Sequence, residues 1–112
     1  MSFHIDDNTP EVKRVKDSAV ERALEKAGLL AEGYAKTELE SNPRRIDTGR
    51  LRNSITHMQE DEETEIIGTN VEYAPYVHYG TQRMEANEFL KNAIDKHTAE
   101  YREVIQGELR KG

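Results

Sequence analysis

The 112-residue chain is the length of one domain, and a second core would not fit within it. Leu, Ile, Val and Phe together make up 22 of the 112 residues, close to the roughly 20% below which a chain struggles to bury enough apolar surface. The core should therefore be small, with partner subunits adding stability. A net charge of −6, from 16 Lys and Arg against 22 Asp and Glu, argues against a duplex-DNA binder held by a basic face.

The chain has no cysteine, so disulfides, a thiolate nucleophile, zinc ribbons and iron–sulfur sites are excluded. Met1 to Asp7 carries acid early and has no apolar run after it, so neither a signal peptide nor a membrane span is expected. Residues 1–9 read as a flexible start. Thr9-Pro10-Glu11 then opens a helix, with Thr9 as N-cap and Pro10 at the first helical position. Val12, Val15, Ala19, Ala23, Ala27, Leu30 and Tyr34 recur at three- and four-residue steps, which predicts one amphipathic helix over 10–41, ended by Ser41-Asn42-Pro43. Gly28 and Gly33 inside it point to a bend or to close packing.

Asp47-Thr48-Gly49 reads as a turn in which Asp47 or Thr48 caps the next segment and Gly49 supplies a positive φ. Residues 50–55 are expected as a short helical turn or the lead-in to a strand. Residues 54–59 and 64–69 flank Glu60-Asp61-Glu62-Glu63 and predict an antiparallel hairpin with an acidic tip. Tyr73, Tyr76 and Tyr79, spaced by three, would line one side of a helical turn begun by Pro75 and ended by Gly80. Asn87 should cap a second helix over 88–109, with a stripe of Leu90, Ala93, Ile94, His97, Tyr101, Val104 or Ile105, and Leu109, and residues 110–112 fraying. The fold expected is α+β in a single domain over 1–112: a long N-terminal helix, a small antiparallel sheet with the acidic hairpin, and a C-terminal helix packed with the first helix on the sheet.

Charge is uneven. Residues 47–86 hold three basic and eight acidic groups, nearly all of the net charge, whereas the flanking segments are close to balanced. Asp47-Thr48-Gly49 also matches the triplet of aspartic proteases, but four arginines flank it, a long helix precedes it and the glycine-rich β flap of such an enzyme is missing. The histidines at 4, 57, 78 and 97 lack metal-type spacing, no serine or threonine has a nucleophile elbow, and no glycine-rich loop could cradle phosphate. No enzyme, cofactor or metal is expected.

The order of the motifs resembles the small neck, or tail-completion, proteins of long-tailed bacteriophages and prophages, also described as head–tail joining or minor tail proteins. The residues that carry it are Asp47 to Ile55, Gly68 to Thr81, and Met84, Ala86, Phe89, Leu90 and Ala93. That family usually has an acidic residue where this chain has His78, and often prolines where it has Glu88 and Asn92. The resemblance implies a structural, non-enzymatic virion protein made in the host cytoplasm. It would complete the neck or tail end and join the DNA-filled head to the tail as one copy in a ring around the DNA channel. Its partners would be other head-completion and tail proteins and copies of itself, with no sequence-specific nucleic acid and no membrane.

The candidate assembly surface is Arg50, Arg52, Tyr73, Tyr76, His78, Tyr79, Thr81 and Arg83, and the candidate channel-facing loop is Glu60, Asp61, Glu62, Glu63 and Glu65. Surface pairing with nearby acids is the plainer reading of Arg50 and Arg52. A different class of function, a small cytoplasmic adaptor or regulatory protein binding one partner through the tyrosine turn, is compatible with the same residues.

Overall fold

Residues 1–6, 17–40, 48–61, 64–82 and 85–111 are described in the computed structural model. In chain order they form β1 (Ser2–Asp6), α1 (Asp17–Glu40), α2 (Thr48–Ser54), β2 (Thr56–Gln59), β3 (Thr64–Gly68), α3 (Ala74–Tyr79), α4 (Phe89–Asp95) and α5 (Thr98–Lys111). The class is α+β, as the sequence suggests. The strands make one antiparallel sheet in the order β1-β3-β2. Helix α1 lies on β2 and β3 and also packs against α4 and α5, while α4 reaches β1, so α1 and α4 cover one face of the sheet.

The apolar stripe of α1 extends past its expected end: Ala19, Ala23, Ala27, Ala31, Ala35 and Leu39 are all buried, joined by Val20 and Leu24. The part of the expected helix before residue 17, its proposed cap and its proline stop at residue 43 lie outside the described residues. Gly28 is the close-packing glycine: a Cβ there would lie 2.3 Å from Oε2 of Glu65 and 2.8 Å from its Cγ. Residues 48–54 are helical, and Gly49 is the second residue of α2 rather than a positive-φ turn glycine. Among the described residues that backbone conformation belongs to Gly80, at φ 79°.

The C-terminal helix is two helices, not one. The Ala93 carbonyl is taken by the Tyr101 hydroxyl, and the His97 N–H turns instead to the Ile94 carbonyl at 3.3 Å, which also accepts Thr98 Oγ1 at 3.0 Å, so the helical ladder that holds as far as the Lys96 bond to Asn92 breaks at His97. The expected stripe survives the break, with Leu90, Ala93, Tyr101, Ile105 and Leu109 buried. Asn87 does not cap α4; its side-chain amide donates to the Glu38 carbonyl at 3.3 Å, satisfying an acceptor in the last turn of α1.

The start of the chain departs most from expectation. Ser2–Asp6 is an edge strand paired with β3, Ile5 standing opposite Glu65 and Phe3 opposite Ile67. The signal was a period-two alternation, with Phe3 and Ile5 facing the helices and Ser2 and His4 exposed. Ile5 belongs to the core. Ile5→Ala should therefore cost about 2–4 kcal/mol in chemical denaturation, where a residue in a flexible tail would cost nothing measurable.

Candidate functional site

Proline at its start and Gly80 at its C-cap fix both ends of α3, and the Gly80 N–H donates to the Tyr76 carbonyl at 2.9 Å. Three- and four-residue spacing turns Ala74, Val77 and His78 inward, where all three are buried. Tyr76 and Tyr79 are left outward at 61% and 62% exposure. Tyr73, at the N-cap, is half-buried, and the Arg50 guanidinium lies 5.4 Å from its ring centre.

Arg50 also grips Glu72 with both terminal nitrogens, at 3.1 Å each, and this hydrogen bonding holds the Glu72 carboxyl below its ordinary range. Arg52 pairs with Glu40 at the end of α1. Both arginines thus have acidic partners on this chain, and the arginine–tyrosine region is an ordered surface at the sheet end opposite the hairpin tip. Thr81 is exposed beside it, and Arg83 lies outside the described residues.

His78 is not a surface donor. It is fully buried between Phe3, Tyr79 and Phe89, with ring centres 5.1, 4.6 and 5.3 Å away, and its Nε2 accepts the Lys91 N–H at 3.2 Å. That bond makes Nδ1 the protonated nitrogen of the neutral ring, and Nδ1 has no partner among the described residues. Burial lowers the imidazole below its ordinary value, against the pull of nearby Glu88.

The acidic loop also divides. Glu60 and Asp61 are exposed at the hairpin tip, with Glu60 bridging to His4 at 3.3 Å, and Glu62 and Glu63 lie outside the described residues. Glu65 is not channel-facing: it is fully buried, and among the described residues neither carboxylate oxygen has a hydrogen-bond partner. Strand alternation explains the reversal, since Glu65 shares the inward face of β3 with Ile67. Burial pushes its carboxyl up to about 7, moderated by His57 and reinforced by Glu25.

Around Glu65 sits a cluster that sequence reasoning missed. On β2, His57 faces the same way as Glu65, one diagonal step across the ladder, because Ile67 stands opposite His57 and Gln59 opposite Glu65. Its Nδ1 lies 2.9 Å from Glu32 and its Nε2 3.0 Å from Glu25, two carboxylates on α1 separated by two turns. Lys36 in turn holds Glu32 at 3.1 Å. Burial opposes charge on His57, but the bonds to Glu25 and Glu32 raise it above its ordinary value; burial likewise pushes Glu32 up, and hydrogen bonds from His57 and Lys36 bring it below its usual range. The i, i+7 spacing of Glu25 and Glu32 was visible in the sequence; the histidine between them was not.

The metal-free, non-catalytic expectation rested on spacing along the chain, which says nothing of residues gathered from α1, β2 and β3. The aspartyl triplet falls at the start of α2, with Asp47 outside the described residues. No helix among the described residues is long and apolar enough to cross a membrane. No protein-family model, curated protein or solved structure matches the chain.

Two outcomes test this geometry. Gly28→Ala should destabilise the protein by about 1–3 kcal/mol by crowding Glu65, yet stabilise a Glu65→Ala background by up to about 1 kcal/mol through helix propensity; a double-mutant cycle reads the coupling. His78 supplies the second. Its folded value lies below the ordinary 6.5, so as pH falls below about 6.5 the unfolded chain takes up a proton that the folded chain refuses, and stability is lost. His78→Gln keeps an acceptor for Lys91, and its loss of stability between about pH 7.5 and about pH 5.5 should be smaller than that of the natural protein, the contribution of His57 being common to both.

Proposed function

We propose that this chain is a structural subunit of the neck of a long-tailed bacteriophage or prophage, completing the tail end or neck and joining the DNA-filled head to the tail. It acts without catalysis, as one copy in a ring around the DNA channel, bound to other head-completion and tail proteins. The ordered motifs between residues 47 and 94 are one support. The observation that carries the reading is the tyrosine turn: two large aromatic side chains held outward on backbone fixed by a proline and a positive-φ glycine, beside an ordered arginine pair. Tyrosine there adds contact area at little conformational cost, and aromatic and arginine residues concentrate binding energy at interfaces.

The exposed acids of the hairpin, Glu60 and Asp61, lie at the far end of β3 and offer phosphates no counter-charge, as suits a channel-side surface. Glu65 has no part in that surface.

Deleting the gene from its phage or prophage, inducing, and viewing the lysate by negative-stain electron microscopy should give separate DNA-filled heads and full-length tails. Complementation with Tyr76→Ala/Tyr79→Ala should fail while the purified variant keeps its circular dichroism spectrum, since each truncation at an interface centre costs about 2 kcal/mol, about thirtyfold in association. Intact infectious virions from the deletion would overturn the joining role and favour the adaptor reading.

A further inference from the structure

We propose that Glu25, His57 and Glu65 form a site for one divalent transition-metal ion of the zinc class, bound where α1 crosses β2 and β3. One nitrogen or oxygen atom from each of the three lies within 4.8 Å of the others. Bonds of about 2.0–2.2 Å to a shared ion set tetrahedral donors about 3.3 Å apart. Glu25 Oε1 and His57 Nε2 already stand 3.0 Å apart, so the closure an ion would require is toward Glu65, and the 67% exposed Glu25 side chain has room to follow.

Glu65 supplies the second, independent observation. Its carboxyl group is wholly buried with both oxygens unpartnered, and it is aimed into this cluster. An ionised carboxylate there calls for a cation, and a protonated one would need an acceptor for its hydroxyl, so neither form is satisfied by the described residues. A divalent ion satisfies it and balances the two carboxylates in charge.

The surroundings are those a metal-binding histidine needs. His57 Nδ1 is directed at Glu32, 2.9 Å away, and Glu32 is held by Lys36. A ligating imidazole usually donates its other N–H to a carboxylate in this manner, which fixes the tautomer; at Nε2 the ion would take the place of the proton shared with Glu25, 3.0 Å away. One imidazole with two carboxylates favours zinc and its first-row neighbours over calcium and magnesium, which prefer six or more oxygen donors. The exposed side, at Glu25, gives the ion a route in from solvent and leaves a position for water. Bound there, the ion ties the long helix to two strands. The inference stands apart from the neck-protein reading, because none of these residues belongs to the tyrosine turn.

The test is a zinc titration of the full-length protein after treatment with a chelator and buffer exchange, followed by calorimetry, thermal melting and imidazole NMR. One zinc per chain should bind and raise the melting temperature, with His57 alone among the four histidines showing the shift of a ligated Nε2. Glu65→Gln and His57→Gln should abolish binding, and Glu32→Gln should weaken it about 10–100-fold. The proposal is overturned by no uptake of zinc, by shifts at His4, His78 or His97 instead, by undiminished binding in Glu65→Gln, or by equal binding of calcium or magnesium. Should a variant fail to fold, the histidine spectrum of the natural protein decides alone.

Discussion

Helix α1 has to bury two of its sides, one on β2 and β3 and one against α4 and α5, in a chain poor in large apolar residues. Alanines at 19, 23, 27, 31 and 35 make this possible, because a surface of methyl groups lets neighbouring backbones come close and leaves few gaps for larger side chains to fill. Most of the large residues then come from the partners, Phe89 and Leu90 from α4, Tyr101 and Ile105 from α5, and Ile67 from β3, with Leu24 and Leu39 from α1 itself. Polar contacts set the register of α1 on α5. Lys26 meets Glu108, Tyr34 donates to Glu100, and Lys96, just before α5, meets Glu38, so the two helices run antiparallel with the contacts in reverse order. The Tyr34 ring also stacks on His97 with centres 3.6 Å apart.

Two polar side chains break the logic of this core. Glu65 and His78 are both fully buried and both retain a polar atom without a partner. They differ in what surrounds them. Aromatic rings enclose His78, and its one hydrogen bond serves the first turn of α4. A carboxylate here could accept the same Lys91 N–H, but its charge would be set in an aromatic pocket. Imidazole accepts the bond while neutral, and the cost moves to Nδ1. Glu65, by contrast, looks out through His57 and Glu25 toward solvent, so its isolation is a property of a polar cluster rather than of the core.

The sequence carried the elements that depend on local rules and missed those that depend on crossing chains. Pro75 and Gly80 mark the α3 turn because their backbone preferences are local, and the alanine and leucine stripes mark the helices because periodicity is local. On β3 Ile67 is buried and Ile66 only half-buried, and alternation from Ile67 turns Glu65 inward, apart from the acidic run that precedes it in the chain. Residues 2–6 hold only two large apolar residues, too short a pattern to distinguish a strand from a tail until β3 offers its edge. The break at Lys96 and His97 needed knowledge that the Tyr101 hydroxyl reaches back eight residues to Ala93. For the cluster at His57 the obstacle was the same: its groups come from residues 25 to 65 and meet only when the helix lies on the sheet.

Strand β3 joins these parts. One of its ends adjoins the exposed acids of the hairpin and the other leads through Thr69, whose hydroxyl meets Ser54 of α2 at 2.5 Å and accepts the Val71 N–H at 3.1 Å, into the tyrosine turn. The outward tyrosines therefore rest on a backbone anchored to α2 and to the centre of the sheet, with the Tyr79 ring set against buried His78. Between the two ends, Glu65 faces α1 beside Gly28. A subunit built in this way separates what its surface offers a neighbour from what holds its long helix in place, because the tyrosines contribute nothing to the α1 contact and the His57 cluster contributes nothing to the turn.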